Sequence, residues 1–374
     1  MIHTLNLEPA LLTIHKQDKG QNCYIAKGQS LAEILEGTFG RPNLCLKVFK
    51  KLPMGQFPQD FRWSGATLIE ATKVQNLFAM YGLARRVYAI ALVNGERLAQ
   101  VTRYANGKGD PDVKLAKKLT RKYKIGAKRR RDVGAYIERQ AKWIGRHMID
   151  FGGFYFTDPK WYEKRLQDHV IRYRKKKHTD GLGYQPCDEL GIGGRRNITA
   201  RIKQMKLDND DFTGKTVLDI GCNNGAFCRY AAEHEARRVV GVDHKYIKGN
   251  RQLFNWLGLW NVDFIQIALP RGWEHIREKS GIKQFDIMFC LSVAGHVGGY
   301  ASWIPALVGD IMYFSGQSVE PRNLYQKKLE NDFAEVKWLG YVKDEPGRRH
   351  PLWRCERYVE RNVYRRSETV SSIE

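Results

Sequence analysis

Short apolar runs alternate with amphipathic stretches from residue 212 to the end of the chain. Five apolar runs predict β-strands, at 216–220, 238–242, 262–267, 285–291 and 311–314. The intervening stretches predict helices, at 225–235, 247–257, 273–279 and 302–308. This alternation is typical of a doubly wound α/β sheet. Two further runs, 334–342 and 352–359, are separated by nine residues that include the turn-like sequence at 343–347, which predicts an antiparallel hairpin instead of another crossover.

The pattern before residue 184 is different. Strand-like runs at 22–26, 44–49, 87–93 and 97–104 surround one helical stretch, 66–81, and predict an α+β unit. Residues 110–175 are expected to be mostly helical. We therefore divide the chain into an α+β domain (1–110), a basic helical segment (111–183), an α/β domain (184–360) and a polar C-terminal tail (361–374).

Charge adds a candidate partner to this picture. The formal net charge is +23, and residues 101–185 alone hold 23 Lys and Arg against nine Asp and Glu. The densest runs are 121–124, 128–131 and 172–177. A one-signed excess of this size attracts polyanions such as nucleic acid. The alternative is a solvated helical surface that keeps the protein in solution.

Several classes of protein are excluded by composition. No run of about 18 apolar residues could span a bilayer, and the N-terminus lacks the basic-then-apolar pattern of a signal peptide. The seven cysteines form no CxxC pair, so neither a zinc site nor a disulfide framework is expected, and no metal is predicted. We expect a soluble cytoplasmic protein without membrane contact. The oligomeric state stays open.

The central motif runs from Val217 to Phe227 and reads VLDIGCNNGAF. Its glycines allow the backbone to approach a ligand closely, and the following helix presents its N-terminal amides to that ligand. The next strand ends in Asp243, 22 residues after Gly221. A carboxylate at that edge can accept hydrogen bonds from ribose hydroxyls.

This stretch resembles the first motif of class I S-adenosylmethionine-dependent methyltransferases, and the resemblance covers roughly residues 196–360. It implies a seven-stranded Rossmann-like sheet with its last strand antiparallel, and S-adenosylmethionine as cofactor. Asp219, Gly221, Asn223 and Gly225 would line the methionine side, and Asp243 would hold the ribose. Further cofactor contacts are expected at the ends of the third and fourth strands, at Ala268, Leu269 and Leu291. Dinucleotide oxidoreductases are the main competitor, but they carry G-x-G-x-x-G, which is absent here.

Methyl transfer in this fold takes place beside the residues that follow the fourth strand, here Ser292 to Gly299. The tetrapeptide of nucleobase amino methyltransferases is absent from this loop. His296 is the residue with a suitable pKa for a general base, so a hydroxyl nucleophile is our first expectation. The alternative is that His296 only hydrogen-bonds the loop. Ser292, and Ser315 after the fifth strand, are expected to face the substrate.

Residues 184–196 precede the α/β domain immediately. Methyltransferases often use this segment as a lid, and Tyr184 and Arg195 could then contact cofactor or substrate. A plain linker is the alternative.

The first 110 residues weakly resemble the N-lobe of protein-kinase-like folds, in which a strand lysine pairs with a helix glutamate. Lys47 and Glu70 are the candidates, and residues 150–152 spell Asp-Phe-Gly. No glycine-rich loop precedes Lys47 and no catalytic-loop motif follows. We therefore expect a kinase-like remnant used for substrate recognition or packing.

Together these patterns predict a methyltransferase that O-methylates an anionic acceptor such as RNA or DNA. A small molecule or phosphorylated glycan is the alternative acceptor. An alternative of another class is a nucleic-acid-binding protein with a non-catalytic methyltransferase fold.

Overall fold

The structure is a computed structural model of the 374-residue chain. It describes residues 2–12, 14–19, 23–51, 62–63, 66–104, 109–127, 132–139, 141, 143–144, 146–148, 151, 153–172, 183–210, 212–301, 303–318, 320–345 and 347–358. The tail expected at 361–374, the basic run 128–131 and most of the run 172–177 lie outside these residues, as does Asp150.

A six-stranded sheet organises the N-terminal part. Its elements are β1 (Ile2–Leu5), β2 (Ile14–Lys19), β3 (Cys23–Ala26), α1 (Gln29–Phe39), β4 (Leu44–Lys51), β5 (Arg62–Trp63), β6 (Ala66–Thr67), α2 (Leu68–Ala79), β7 (Val87–Val93) and β8 (Arg97–Arg103). The strand order is β1-β7-β8-β4-β3-β2, and all neighbours are antiparallel except β1 and β7. Asn94 and Gly95 form the turn between β7 and β8, both with positive φ, as is typical of this dipeptide in a hairpin.

The middle segment combines helices with short strands. Its elements are α3 (Val113–Lys122), β9 (Ile125–Ala127), α4 (Val133–Arg139), β10 (Trp143–Ile144), β11 (His147–Met148), β12 (Phe154–Phe156) and α5 (Pro159–Arg172). The helices agree with the expected helical character, whereas the antiparallel pairs β9–β12 and β10–β11 were not predicted. These strands are two or three residues long, which is too short to leave a period-2 pattern.

A seven-stranded sheet forms the C-terminal part. Its elements are α6 (Ile198–Met205), β13 (Thr216–Ile220), α7 (Ala226–Glu233), β14 (Arg238–Asp243), α8 (Ile247–Leu257), β15 (Val262–Gln266), α9 (Glu274–Ser280), β16 (Phe285–Leu291), α10 (Trp303–Ala306), β17 (Val308–Ser315), α11 (Asn323–Asp332), β18 (Phe333–Glu345) and β19 (Arg348–Tyr358). The strand order is β15-β14-β13-β16-β17-β19-β18. The first five strands in this order are parallel, and β19 runs antiparallel to both β17 and β18.

The predicted α/β class and the terminal hairpin are therefore confirmed, with shifted boundaries. The hairpin strands extend to Glu345 and from Arg348, so β18 runs into the turn expected at 343–347 and β19 begins directly after it. The helix expected at 302–308 is reduced to Trp303–Ala306, because β17 already begins at Val308. Helices α1 and α11 were not predicted. The α1 helix buries Leu31, Leu35 and Phe39, a four-residue spacing that is characteristic of one helix face.

One apolar core joins the two parts of the chain. Every residue of β13 is buried, as expected for a central parallel strand covered on both faces. Leu77 and Phe78 of α2 and Tyr162 of α5 belong to the same apolar cluster as Phe254 of α8. The Asn255 side-chain amide also donates to the carbonyl of Lys73 at 2.8 Å. The N-terminal elements therefore pack directly on one helix layer of the seven-stranded sheet. Among the described residues, no helix is both long and apolar enough to cross a bilayer.

Candidate active site

A cleft of about 470 Å³ lies at the carboxyl ends of β13, β14 and β16. Loops after parallel strands meet at this edge, where open α/β sheets bind their ligands. Ten of the thirteen residues expected to form the site line it: Tyr184, Asp219, Gly221, Asn223, Asp243, Ala268, Leu269, Leu291, Ser292 and His296. The three exceptions are Gly225, Ser315 and Arg195.

The loop after β13 requires glycine at its first position. Gly221 has φ 70°, and a Cβ there would lie 2.6 Å from Cγ2 of Val293 in the opposite wall. The amides of Gly221 and Cys222 both donate to the carbonyl of Val242, at 2.8 and 3.1 Å. These contacts fix the loop against the end of β14. The result is a bend whose floor is formed by backbone.

Asp243 ends β14 and is nearly buried. Its Oδ2 accepts a hydrogen bond from the amide of Asn223 at 3.0 Å, and Oδ1 accepts one from the amide of Lys245 at 3.2 Å. Two backbone amides therefore hold the carboxylate in place while it lines the cleft. A carboxylate fixed in this way can accept two further hydrogen bonds from a diol.

Asp219 lies deeper, on β13, and is 3% exposed. The Cys228 thiol donates to its Oδ2 at 3.4 Å. Burial, with a smaller contribution from the charge of Asp243, raises the pKa of Asp219 to about 7. Among the described residues, no Lys or Arg forms an ion pair with either carboxylate.

The segment before α6 packs against the glycine loop, and its role as a lid stays a prediction. The side-chain oxygen of Gln185 accepts a hydrogen bond from the amide of Ala226 at 3.1 Å, which caps the first turn of α7. Its carbonyl accepts a hydrogen bond from the side chain of Asn224 at 3.2 Å. Tyr184 lines the cleft and stacks under the guanidinium of Arg196, 4.8 Å from the ring centre.

A buried ionic cluster supports the opposite wall. Asp344, at the end of β18, forms ion pairs with Arg196 and Arg201, and Nε2 of His350 lies 3.9 Å from its Oδ1. Nη2 of Arg201 donates to Oγ of Ser292 at 3.0 Å. Burial, together with the charge of Arg196, lowers the pKa of Arg201 to about 10. The cluster thus fixes Ser292, which also takes a positive φ of 59°.

His296 ends a short 3₁₀ helix, Ala294–His296, and its exposed side chain lies at the mouth of the cleft. This position leaves the imidazole accessible to an incoming acceptor.

Three expected residues lie elsewhere. Gly225 is beneath the loop at the start of α7, where a Cβ would meet the ring of Phe254 at 2.8 Å, so its role is packing. Ser315 is fully buried and donates to the carbonyl of Gly316 at 3.2 Å, so it does not face the cleft. Arg195 lines an adjoining groove.

That basic groove adjoins the cleft and has a volume of about 870 Å³. Its cationic side chains are Arg195, Arg196, Lys343, Arg348 and Arg349. The groove and the cleft share Arg196 and Ile198 as a common wall. Three carboxylates also line the groove: Asp344 is already paired, Glu345 is held near Arg196 and Arg348, and Asp188 is exposed.

Four residues that support the cleft were not predicted from the sequence: Gln185, Arg201, Asp344 and His350. Arg201 left one signal, because it shares the buried face of α6 with Ile198 and Met205, and an arginine on an apolar face needs a partner. The other three carry no local pattern.

The kinase-like candidates lie apart from this cleft. Lys47 is on β4, opposite Gln100 of β8. The carboxylate of Glu70 accepts hydrogen bonds from the amide and hydroxyl of Thr67, at 2.8 and 2.9 Å, and closes a capping box at the start of α2. Phe151 packs against Phe78 in the core. The resemblance to a kinase N-lobe stays a prediction.

The fold, the glycine loop and the placed carboxylates define a class I S-adenosylmethionine-dependent methyltransferase. Residues 200–290 match the model of the FtsJ-like methyltransferase family. The chain is therefore an enzyme of this class, and S-adenosylmethionine is its cofactor.

Other similarities are more distant. A ribosomal protein L11 methyltransferase of Aeromonas hydrophila is 25% identical over 216 residues, which cover 55% of this chain and 69% of the relative. The N-terminal domain of EvdMO1, solved in the presence of SAH and D-fucose, is 14% identical with a TM-score of 0.38, covering 54% of this chain and 97% of that one. The bifunctional kinase-methyltransferase WbdD is 19% identical with a TM-score of 0.38, covering 51% and 45%.

Proposed function

We propose that this enzyme transfers a methyl group to a hydroxyl oxygen of RNA. The observation that carries the proposal is the common wall between the cofactor cleft and the basic groove. An acceptor lying in the groove needs to pass only Arg196 and Ile198 to reach the cleft. The strand order of the sheet supports a Rossmann-like arrangement of the methyltransferase type, with the hairpin strand β19 inserted antiparallel.

The charge of the groove supports an anionic acceptor. The side chains of Lys343, Arg348 and Arg349 are exposed, whereas Asp344 is buried and already paired. These cations can contact successive phosphates and release counterions, which gives an affinity that falls steeply with salt. Hydroxyl groups are abundant in RNA as ribose 2′-OH groups.

Each residue of the cleft then has a role. The carboxylate of Asp243 accepts hydrogen bonds from the ribose. The backbone at Gly221 and Asn223 borders the methionine part, with Asp219 below it. The adenine is bordered by Ala268, Leu269 and Leu291. Bound S-adenosylmethionine supplies an activated methyl group, so the protein mainly aligns the nucleophile and removes its proton. His296 at the mouth of the cleft takes that proton, and Ser292 and Tyr184 border the acceptor.

The N-terminal part contributes packing in this proposal. Its α2 helix lies against α8, and the carboxylate of Glu70 is engaged in a helix cap. A kinase-like remnant that supports the methyltransferase domain fits these contacts.

Two variants test the division of roles. Asp243→Ala should weaken cofactor binding at least about 100-fold, because two hydrogen bonds to a charged group are together worth about 3 kcal/mol. His296→Ala should leave binding unchanged and slow turnover by about 100-fold. Calorimetric titration gives the binding constant, and transfer of labelled methyl to total RNA gives the rate. Asp243→Asn is the matched control, since it keeps the side-chain shape and one acceptor oxygen.

The acceptor assay separates the alternatives. Transfer of labelled methyl to RNA, at a rate that falls as the salt concentration rises, supports the proposal. Label on DNA, protein or a phosphorylated glycan instead of RNA would contradict the RNA assignment. Cofactor binding without product on any of these acceptors would favour a non-catalytic nucleic-acid-binding protein. An unchanged rate in His296→Ala would remove the histidine from the mechanism.

A further inference from the structure

A second cavity, of about 810 Å³, lies between the N-terminal sheet and the edge strand β15 of the seven-stranded sheet. Six cationic side chains line it: Arg41, Arg86, Arg103, Arg238, Arg251 and Lys279. Three carboxylates line it as well. Two of them, Glu36 and Glu278, are exposed, so only Asp263 balances charge in the interior.

Asp263 is shared by three guanidinium groups. Nη1 of Arg86 lies 2.6 Å from Oδ1, Arg238 contacts Oδ2 through Nε and Nη2 at 3.0 Å each, and Nη1 of Arg41 also pairs with Oδ2. Burial would raise the pKa of Asp263, but these three cations outweigh it and hold that pKa well below its usual range. One negative charge against three positive charges leaves an excess of two in a partly buried site.

The guanidinium of Arg41 is not fully hydrogen-bonded within the described structure. Arg41 is 5% exposed, and Nη2 has no hydrogen-bond partner among the described residues. Its guanidinium lies 4.4 Å from the ring centre of Tyr88, which orients the plane without supplying an acceptor. Burial, and the repulsion of Arg238 and Arg86, lower the pKa of Arg41 to about 10. A buried guanidinium with a free N–H is costly unless an acceptor binds to it.

The neighbouring arginines are better satisfied. Nη2 of Arg86 donates to the carbonyls of Trp260 and Val262, and Nη1 of Arg238 donates to the carbonyl of Gly40. Both groups are thereby fixed in orientation around the cavity. A small anion with several oxygens can accept from Arg41 and still lie close to the other two charges.

We propose that this cavity binds the phosphate group of a small phosphorylated molecule, with Nη2 of Arg41 as its innermost donor. Phosphate oxygens match the planar fork of arginine, and a dianion would balance the excess charge around Asp263. The site is separate from the cofactor cleft and from the basic groove. It lies at the contact between the two parts of the chain, so a bound phosphate would also stabilise that contact.

The test is the affinity of the full-length protein for inorganic phosphate. Arg86→Gln should weaken binding about tenfold, because one charge-assisted contact is worth about 1.5 kcal/mol. Arg41→Lys keeps the charge and removes Nη2, so it should weaken binding as well. The matched control is Arg237→Gln. Arg237 also crosses between the two parts, donating to the carbonyl of Gly37 at 3.1 Å, but it does not line the cavity.

Binding is measured as the phosphate-dependent rise in melting temperature and by calorimetric titration. The control should respond like the wild type. The proposal is overturned if phosphate raises the melting temperature of Arg86→Gln, Arg41→Lys and the wild type equally, because phosphate would then bind elsewhere. It is also overturned if phosphate raises the melting temperature of none of these proteins. Binding of an RNA oligonucleotide without any response to phosphate would also overturn it. None of these readouts depends on methyl transfer.

Discussion

Four buried or partly buried carboxylates of the described structure fall into two groups with different kinds of partner. Asp344 and Asp263 are surrounded by arginines, two in one case and three in the other. Asp219 and Asp243, in the cleft, are buried like Asp344 and more deeply than Asp263, whose side chain is 15% exposed. Among the described residues these two carboxylates have backbone amides, a thiol and the exposed His244 as partners. Burial alone therefore does not decide whether a carboxylate receives a protein cation.

Under the proposed function, the difference follows from what each pair of carboxylates binds. A carboxylate within the fold must be neutralised by the protein, since desolvated charge is costly. The cofactor carries positive charge on its sulfonium and amino groups, so an arginine beside Asp219 would compete with it. Among the described residues, the carboxylates of the cleft therefore have no Lys or Arg partner, whereas Asp344 in the wall beside the cleft pairs with two arginines.

The largest effect is expected where the arginine pair is most deeply buried. Asp344→Asn would leave Arg196 and Arg201 without their shared countercharge, both nearly inaccessible to water. Breaking a buried ion pair in this way costs about 3–5 kcal/mol of unfolding free energy. Urea denaturation of variant and wild type at one pH measures the difference.

A surface carboxylate provides the control. Asp310 is half exposed and lies 4.0 Å from Lys215, so Asp310→Asn should change the unfolding free energy by less than about 0.5 kcal/mol. A loss of unfolding free energy below about 1 kcal/mol in Asp344→Asn would mean that water reaches the cluster. It would contradict the view that Asp344 depends on its arginines because it is desolvated.

Asp263→Asn should have a smaller effect on stability, about 1–3 kcal/mol. Arg86 and Arg238 keep their carbonyl acceptors, and the Arg86 side chain is one-third exposed. Cofactor affinity should stay unchanged, because Asp263 does not line the cleft. Parallel denaturation and calorimetric titration measure the two quantities. A larger loss of unfolding free energy than in Asp344→Asn would reverse the ranking of the two carboxylates. Weaker cofactor binding would show that the cavity and the cleft are coupled.

These contrasts also explain which features the sequence could reveal. Gly221 follows β13 directly and Asp243 ends the next strand, β14, so the spacing alone could predict that both residues line one cleft. Arg41 and Asp263 are 222 positions apart, and Arg196 and Asp344 are 148 apart. No local periodicity links such residues, because their contact depends on how strands and loops are arranged in three dimensions. Ser315 was misplaced for a related reason: it is fully buried at the end of β17, opposite Leu352 of β19, and this strand pairing leaves no local pattern.

The smallest expected effect is a change of the unfolding free energy with pH, and it tests the carboxylates of the cleft. Burial raises the pKa of Asp219 from 3.8 to about 7, so the folded protein keeps a proton that the unfolded chain has lost. The stability supplied by this proton is complete below about pH 4 and is lost as pH rises through 7. Asp219→Asn stays neutral, so without cofactor its unfolding free energy should gain on the wild type by about 1 kcal/mol per pH unit between pH 5 and 7. Denaturation at pH 5, 6 and 7 measures this trend, with Asp310→Asn as the exposed control. A difference that does not change with pH would mean that Asp219 is ionised throughout, and a cation would then have to lie beside it after all.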